Sequence, residues 1–366
     1  MDSQALSHPQ VSTNPSQAND ASGLARETIV PTSEIITPSR AELPSPSEIR
    51  SQADALFHQG HQTYQEGQWA DSLSLFEGAC ELYGQARDEL GQEKALNSIG
   101  LAYYQLRQYE KTVEYGSRAL AIARTHHDRR SIIKILSILG NAYRHLKQFD
   151  QAVTYQQQSL VMAQQVQDRR SEMAALNNLG LAYKAMGNLS EAIAHEQRSL
   201  AIARELQDTQ VEDQILKNLG NACLNLNNYP AAIDYYQQRL ALAHKLLMPR
   251  VEAQILRSLA QAYYLLKDFT KGIECSQDWL AVAQLVDDLR SQEQALGSIA
   301  EGYYAQGNYS KALDYFDQQL GLARQLQDQL VEGQILQKMQ QAANAIGNPS
   351  KAADYAKQHS ALSQFF

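Results

Sequence analysis

His58 and His61, three residues apart, have the spacing with which one helix face presents a pair of metal ligands. No third donor accompanies them, and Leu56 and Phe57 set them on an apolar-periodic helix, so they read as surface histidines. His126-His127 falls where a second helix ends, and an imidazolium there suits the negative end of the helix dipole. Of the three cysteines, Cys223 stands where neighbouring segments carry tyrosine, and Cys80 and Cys275 replace recurrent apolar or aromatic residues. They read as small buried hydrophobes, not nucleophiles. There is no Gly-rich loop ending in Gly-Lys-Ser/Thr and no Gly-x-Ser-x-Gly elbow. The expectation is a chain with no catalytic site, no cofactor and no metal, whose chemistry is that of a binding surface.

Bulk properties narrow the partners. No stretch approaches 18 consecutive apolar residues, and mean hydropathy is −0.44, so membrane insertion is not expected. Forty acids against 32 bases give a net charge of −8, the wrong sign for a protein wrapped around phosphate, so nucleic acid is not expected as a partner. An odd cysteine count without a secretory signal points to a reducing, cytoplasmic compartment. Residues 1–48 hold six of the nine prolines, nine serines and no aromatic residue, and they read as a disordered acidic tail.

The rest of the chain repeats every 40 residues. Gly60, Gly100, Gly140, Gly180 and Gly220, continued by Ala260 and Ala300, set the register. Four residues earlier runs an unbroken leucine series from Leu56 and Leu96 to Leu296 and Leu336. Three residues later stand Tyr103, Tyr143, Tyr183, Cys223, Tyr263 and Tyr303, so leucine, small residue and tyrosine share one helical face. Gly67, Gly187, Gly307 and Gly347 mark breaks, after which a second amphipathic segment such as Ala152 to Ala163 begins. An aspartate between units, Asp88, Asp128, Asp168, Asp208, Asp288 or Asp328, caps the next helix, and only Met248 interrupts the series. Each unit is thus a helix pair that buries its apolar stripe only against its neighbours, which makes an all-α solenoid. The units are 51–90, 91–130, 131–170, 171–210, 211–250, 251–290, 291–330 and a degenerate cap at 331–366.

The Leu, Gly and Tyr spacing, followed by Ala152, Ala192, Ala232 and Ala312 and then by small residues at Ala119, Ser159 and Ser199, resembles the tetratricopeptide repeat. Six extra residues per unit, and Arg124, Gln164 or Arg204 where a closing proline is usual, make it similar to the 40-residue repeats of the Pins/LGN adaptors, kinesin light chains and bacterial and cyanobacterial arrays. The resemblance implies a right-handed superhelix whose inner wall, built by first helices, holds extended peptides. It also implies that Asn141 and Asn221, which directly follow glycine, grip a ligand backbone.

Helical geometry identifies that wall independently. Counted from the small residue, positions −4, −1, 0 and +3 share one face, and −6, −3, +1, +4 and +5 lie roughly opposite. In units two to six the opposite face carries Lys94, Asn97 and Tyr104; Lys134, Asn141 and Arg144; Asn177 and Lys184; Lys217 and Asn221; and Arg257 and Tyr264, together with Leu101, Gln105, Ser137, His145, Ala174, Leu181, Ala185, Gln214, Leu224, Asn225, Gln254, Gln261 and Leu265. Six of these 25 positions are Lys or Arg and none is acidic, where bulk composition would put about two bases and nearly three acids. The inversion predicts a non-catalytic scaffold for an extended acidic protein segment. The alternative is a peptide-sensing regulator whose superhelix changes on binding. The tail, with Ile29-Val30 and Ile35-Ile36, is a candidate competitor for the groove.

Overall fold

A computed structural model describes residues 45–362. They form eight helix pairs: α1 (Pro46–Gln65) with α2 (Trp69–Gln85), α3 (Glu89–Gln105) with α4 (Tyr109–Thr125), α5 (Arg129–His145) with α6 (Phe149–Gln165), and α7 (Arg169–Ala185) with α8 (Leu189–Glu205). The series continues with α9 (Thr209–Asn225) and α10 (Tyr229–Lys245), α11 (Pro249–Leu265) and α12 (Phe269–Leu285), α13 (Leu289–Ala305) and α14 (Tyr309–Gln325), and α15 (Gln329–Ala345) and α16 (Pro349–Leu362). No strand occurs among the described residues, and the architecture is an all-α solenoid.

Helix starts follow the aspartates. Asp88 accepts from the Gly91 amide at 3.0 Å and Asp168 from the Ser171 amide at 3.1 Å, whereas Met248 makes no side-chain cap and Pro249 begins the helix. The first helix begins five residues before the Ser51 of the expected repeat boundary. Ser45 and Glu48 form a reciprocal capping box around Pro46, so residues 46–48 are helical, and residues 1–44 of the proposed tail lie outside the described residues.

Every linker closes the same way. Gly67 donates to the Tyr64 carbonyl and Gln68 to that of Thr63, the paired bonds that end a helix on a left-handed residue. Gly67, Gly187, Gly307 and Gly347 take that conformation, as expected at the breaks. So do eleven non-glycine residues, including Arg107, Lys147 and Leu247, at φ of 52° to 66°. A left-handed conformation costs a β-carbon residue on the order of 1 kcal/mol, so packing of successive pairs enforces these turns where the residue does not favour them.

Leu96, Leu136, Leu176 and Leu216 are buried with Gly100, Gly140, Gly180 and Gly220 between the two helices of each pair. Several first helices also touch across pairs, α1 on α3, α3 on α5, α5 on α7 and α11 on α13, so that these share a surface.

Candidate functional site

The first helices carry the cationic positions. Lys94, Lys134, Lys217 and Arg257 are exposed, and Arg144 and Lys184 are half-buried. Asn97, Leu101, Lys134, Ser137 and Ala174, from α3, α5 and α7, line one recess of about 340 Å³. The −6, −3 and +1 positions of neighbouring units are thus brought together. Arg257 and Tyr264 line a second recess of about 660 Å³ between α11, α13 and α15. Lys217 and Asn221, on α9, line neither.

None of the six cations enters an ion pair among the described residues. The nearby acids are withdrawn from the surface. Glu93 is 2% exposed, and burial pushes its carboxyl up while Lys94 and Lys134 act on it without contact. The carboxylate-free run is bounded by Asp54 in the first pair, which accepts from the Tyr83 hydroxyl at 2.6 Å, and by Glu301 in the seventh, which is paired with Lys338. Arginines of the second helices are used differently. Arg124, Arg204 and Arg324 reach across to Gln158, Gln238 and Gln358 of the following pair at 2.6–3.1 Å and so tie repeat to repeat.

Not every expected contact residue is free. Tyr264 turns into the protein: its hydroxyl donates to the Ser298 carbonyl at 2.8 Å, and a Cβ on Gly302 would stand 2.7 Å from the tyrosine's hydroxyl oxygen. Its role is to space α11, α12 and α13, because the small residues Gly272 and Gly302 make room for the ring. Asn221 accepts from the Tyr236 hydroxyl at 2.7 Å and Asn141 from the Gln156 amide at 3.2 Å. Each carbonyl oxygen therefore already accepts one bond from the second helix, and the amide nitrogens donate none among the described residues.

Arg144 is held by an aromatic group. Its guanidinium lies 3.2 Å from His145 Nε2, which is 3.1 Å from the Tyr104 hydroxyl, and the Tyr109 ring stacks on His145 at 4.5 Å. Desolvation, then the nearby Arg144 and Arg107, hold the His145 imidazole below its ordinary pKa. A neutral imidazole leaves the positive charge to Arg144. Lys94 and Asn97 carry no hydrogen bond among the described residues, and Asn177 Oδ1 is buried without a partner.

Trp279 and Gln319 also reach the second recess, although they lie on second helices. They occupy the position of the small residues Ala119, Ser159 and Ser199, and in both cases a long side chain passes between the helices to line the 660 Å³ recess. Arg257 lies over the Trp279 ring at 5.8 Å. The departure from a small residue at that position is the signal in the sequence.

For the described residues no cluster of metal-ligating side chains is found, and no helix is long and apolar enough to cross a membrane. His61 packs edge-on against Phe57 at 4.8 Å.

Family models described as tetratricopeptide repeat match residues 131–205, 215–247 and 251–325, together half of the chain. Among curated proteins none matches the sequence. The fold is similar to the apo form of RapI, at 16% identity and a TM-score of 0.54, over 75% of this chain and 98% of that one. It is also similar to a signal-transduction ATPase with numerous domains from Pyrococcus horikoshii that carries a tetratricopeptide repeat sensor, at 18% identity and a TM-score of 0.56 over 86% of this chain. The chain spans about half, 47%, of that ATPase's length.

Proposed function

The chain belongs to the tetratricopeptide-repeat proteins, and from that premise we propose that it is a non-catalytic scaffold whose concave wall holds an extended, acidic segment of a protein partner in the cytoplasm. The observation that carries this reading is the set of six cations on five consecutive first helices, all without a carboxylate partner among the described residues. A solvated structural face would be expected to pair such cations with acids on adjacent helices, as the second-helix arginines Arg204 and Arg324 pair with Glu212 and Glu332. Unpaired cations raise the local potential along the groove, steer an acidic chain toward it and fix its register. The amide nitrogens of Asn141 and Asn221 are suited to hold that chain's backbone carbonyls.

The test is a glutamate-rich fluorescent peptide titrated against the parent and against the double variant Arg144→Glu with Lys184→Glu, at two salt concentrations. Each lost cation contributes roughly 0.5–1.5 kcal/mol, so the double reversal should weaken binding at least about tenfold, and parent affinity should fall with salt. If the folded double variant binds as tightly as the parent at low salt, the groove reading fails. The sensor repeat of the Pyrococcus ATPase supports a second reading, in which a bound peptide changes the pitch of the array. Small-angle scattering with and without the peptide tests it, and an unchanged profile counts against it.

A further inference from the structure

The residue sixteen beyond each small residue lies on the second helix and packs onto it. In the third pair this is Gln156, whose amide donates to the Ser137 carbonyl at 2.9 Å and to Asn141 Oδ1 at 3.2 Å. In the fifth it is Tyr236, whose hydroxyl donates to Asn221 Oδ1. Both side chains are hydrogen-bond donors that end at the asparagine following glycine.

The fourth pair breaks this pattern twice. Glu196 replaces the donor, and Leu181 replaces the asparagine. Glu196 is 1% exposed, its Cγ lies 2.5 Å from where a Cβ of Gly180 would be, and neither carboxylate oxygen has a hydrogen-bond partner among the described residues. Asn177 Oδ1 and Asn218 Nδ2 are also buried without partners. The register brings these groups together, since the equivalent of Asn218 one repeat earlier, Asn178, bonds to Ser137 at the position equivalent to Asn177. Three acceptor oxygens and one donor nitrogen of this cluster are thus without partners among the described residues. The site lacks a hydrogen, and at 1% exposure a proton is what can reach it.

The charged and titratable groups around Glu196 are few. From α7 the ammonium of Lys184, one of the groove cations, acts on it without contact. From α9 come the Cys223 thiol, pushed up by burial, and the neutral Asn218 amide, which lies beside the carboxylate without closing a bond. On α8 itself the neighbour is His195, stacked on Tyr183 and held below its ordinary pKa by burial.

We infer that Glu196 is a proton-binding site coupled to the groove: as the neutral acid it takes the part of the Gln156 amide, and on ionising it draws Lys184 away from the partner-binding face. The binding half of this inference rests on the groove reading above. Burial pushes the Glu196 carboxyl up to about 7. The folded state therefore holds a proton that the unfolded chain releases near pH 4.5, and stability falls as pH rises from there to neutrality.

The experiment compares the parent with Glu196→Gln, which installs the amide that the third pair already uses. Between pH 5 and pH 8 the parent's melting temperature should fall by several degrees more than the variant's. A fluorescent glutamate-rich peptide should bind the parent about threefold to tenfold more weakly at pH 8 than at pH 6, at constant ionic strength, and bind Glu196→Gln equally at both. Carbon-13 labelling of glutamate carboxyls follows the same titration in the parent, with one resonance expected near pH 7, so the test stands if the variant misfolds. Equal pH dependence of melting in parent and variant, or no such resonance, overturns the proton site. A peptide that binds the parent equally at both pH values overturns the coupling to Lys184. A peptide that binds at neither pH overturns the groove reading and the coupling together, while melting and the carboxyl resonance still decide the proton site.

Discussion

Tyr236 occupies the space that a side chain on Gly220 would need: a Cβ there would stand 2.7 Å from Tyr236 Cδ1. The corresponding pair one unit from the start, Gly100 and Gly116, leaves that space open, with 3.6 Å to the nearest backbone atom. The same small residue in the repeat therefore answers two different demands.

Gly220→Ala should destabilise the array by about 2–3 kcal/mol through overpacking against the tyrosine ring. Gly100→Ala should be neutral or stabilising by up to about 1 kcal/mol, because alanine is the better helix former. Urea unfolding of the two variants checks both, and equal losses would contradict the packing described.

Arg239 is buried, and its guanidinium donates to both oxygens of Asp213 at 2.8 and 3.0 Å. Removing the acid alone, Asp213→Ala, leaves a buried cation without its partner and should cost about 3 kcal/mol or more. Replacing both residues by leucine should cost less than that single change, which unfolding measurements on the two variants would show.

The capping aspartates make the array sensitive to acid. Backbone amide bonds, from Ser131, Ser171 and Val331, are the leading cause holding the carboxyls of Asp128, Asp168 and Asp328 below the ordinary aspartate value. A depressed folded pKa means that this stabilisation is present above pH 3.8 and is lost as pH falls through the folded value. Asp168→Asn keeps a side-chain acceptor and should lose less melting temperature between pH 6 and pH 3 than the parent does.

Burial pushes up all three thiols, Cys275 to about 11 and Cys80 and Cys223 in the same direction. The nucleophilic thiolate is therefore scarce at pH 8. A disulfide reagent should modify the native protein slowly at pH 8 and all three cysteines promptly after unfolding. Rapid native reaction at any of them would show that its thiol is not shielded as described.

The 40-residue period, the leucine and glycine series and the aspartate caps were legible because each depends on neighbours within one or two helical turns, repeated until the pattern stands out. Leu176 is buried and Asp168 caps α7, as their spacing implied. The cationic positions were legible for the same reason, since Lys134 and Arg144 fall ten residues apart on one helix and are exposed and half-buried where Leu136 is buried. Turns were less so: Leu247 adopts a left-handed conformation that its own chemistry disfavours, imposed by the stacking of two pairs.

Tertiary structure alone decided which of those face residues remain available. Tyr264 is committed to Ser298, and Asn141 and Asn221 are bonded from second helices, because Gln156 and Tyr236 are long enough to cross the pair interface. Trp279 lines the 660 Å³ recess from a second helix, and Glu196 has no hydrogen-bond partner among the described residues, with Leu181 where the neighbouring pairs carry an asparagine. Helical periodicity says toward which side a residue points. How far its side chain reaches, and which atoms from three different helices meet at its end, depends on distances between helices that no spacing along the chain encodes.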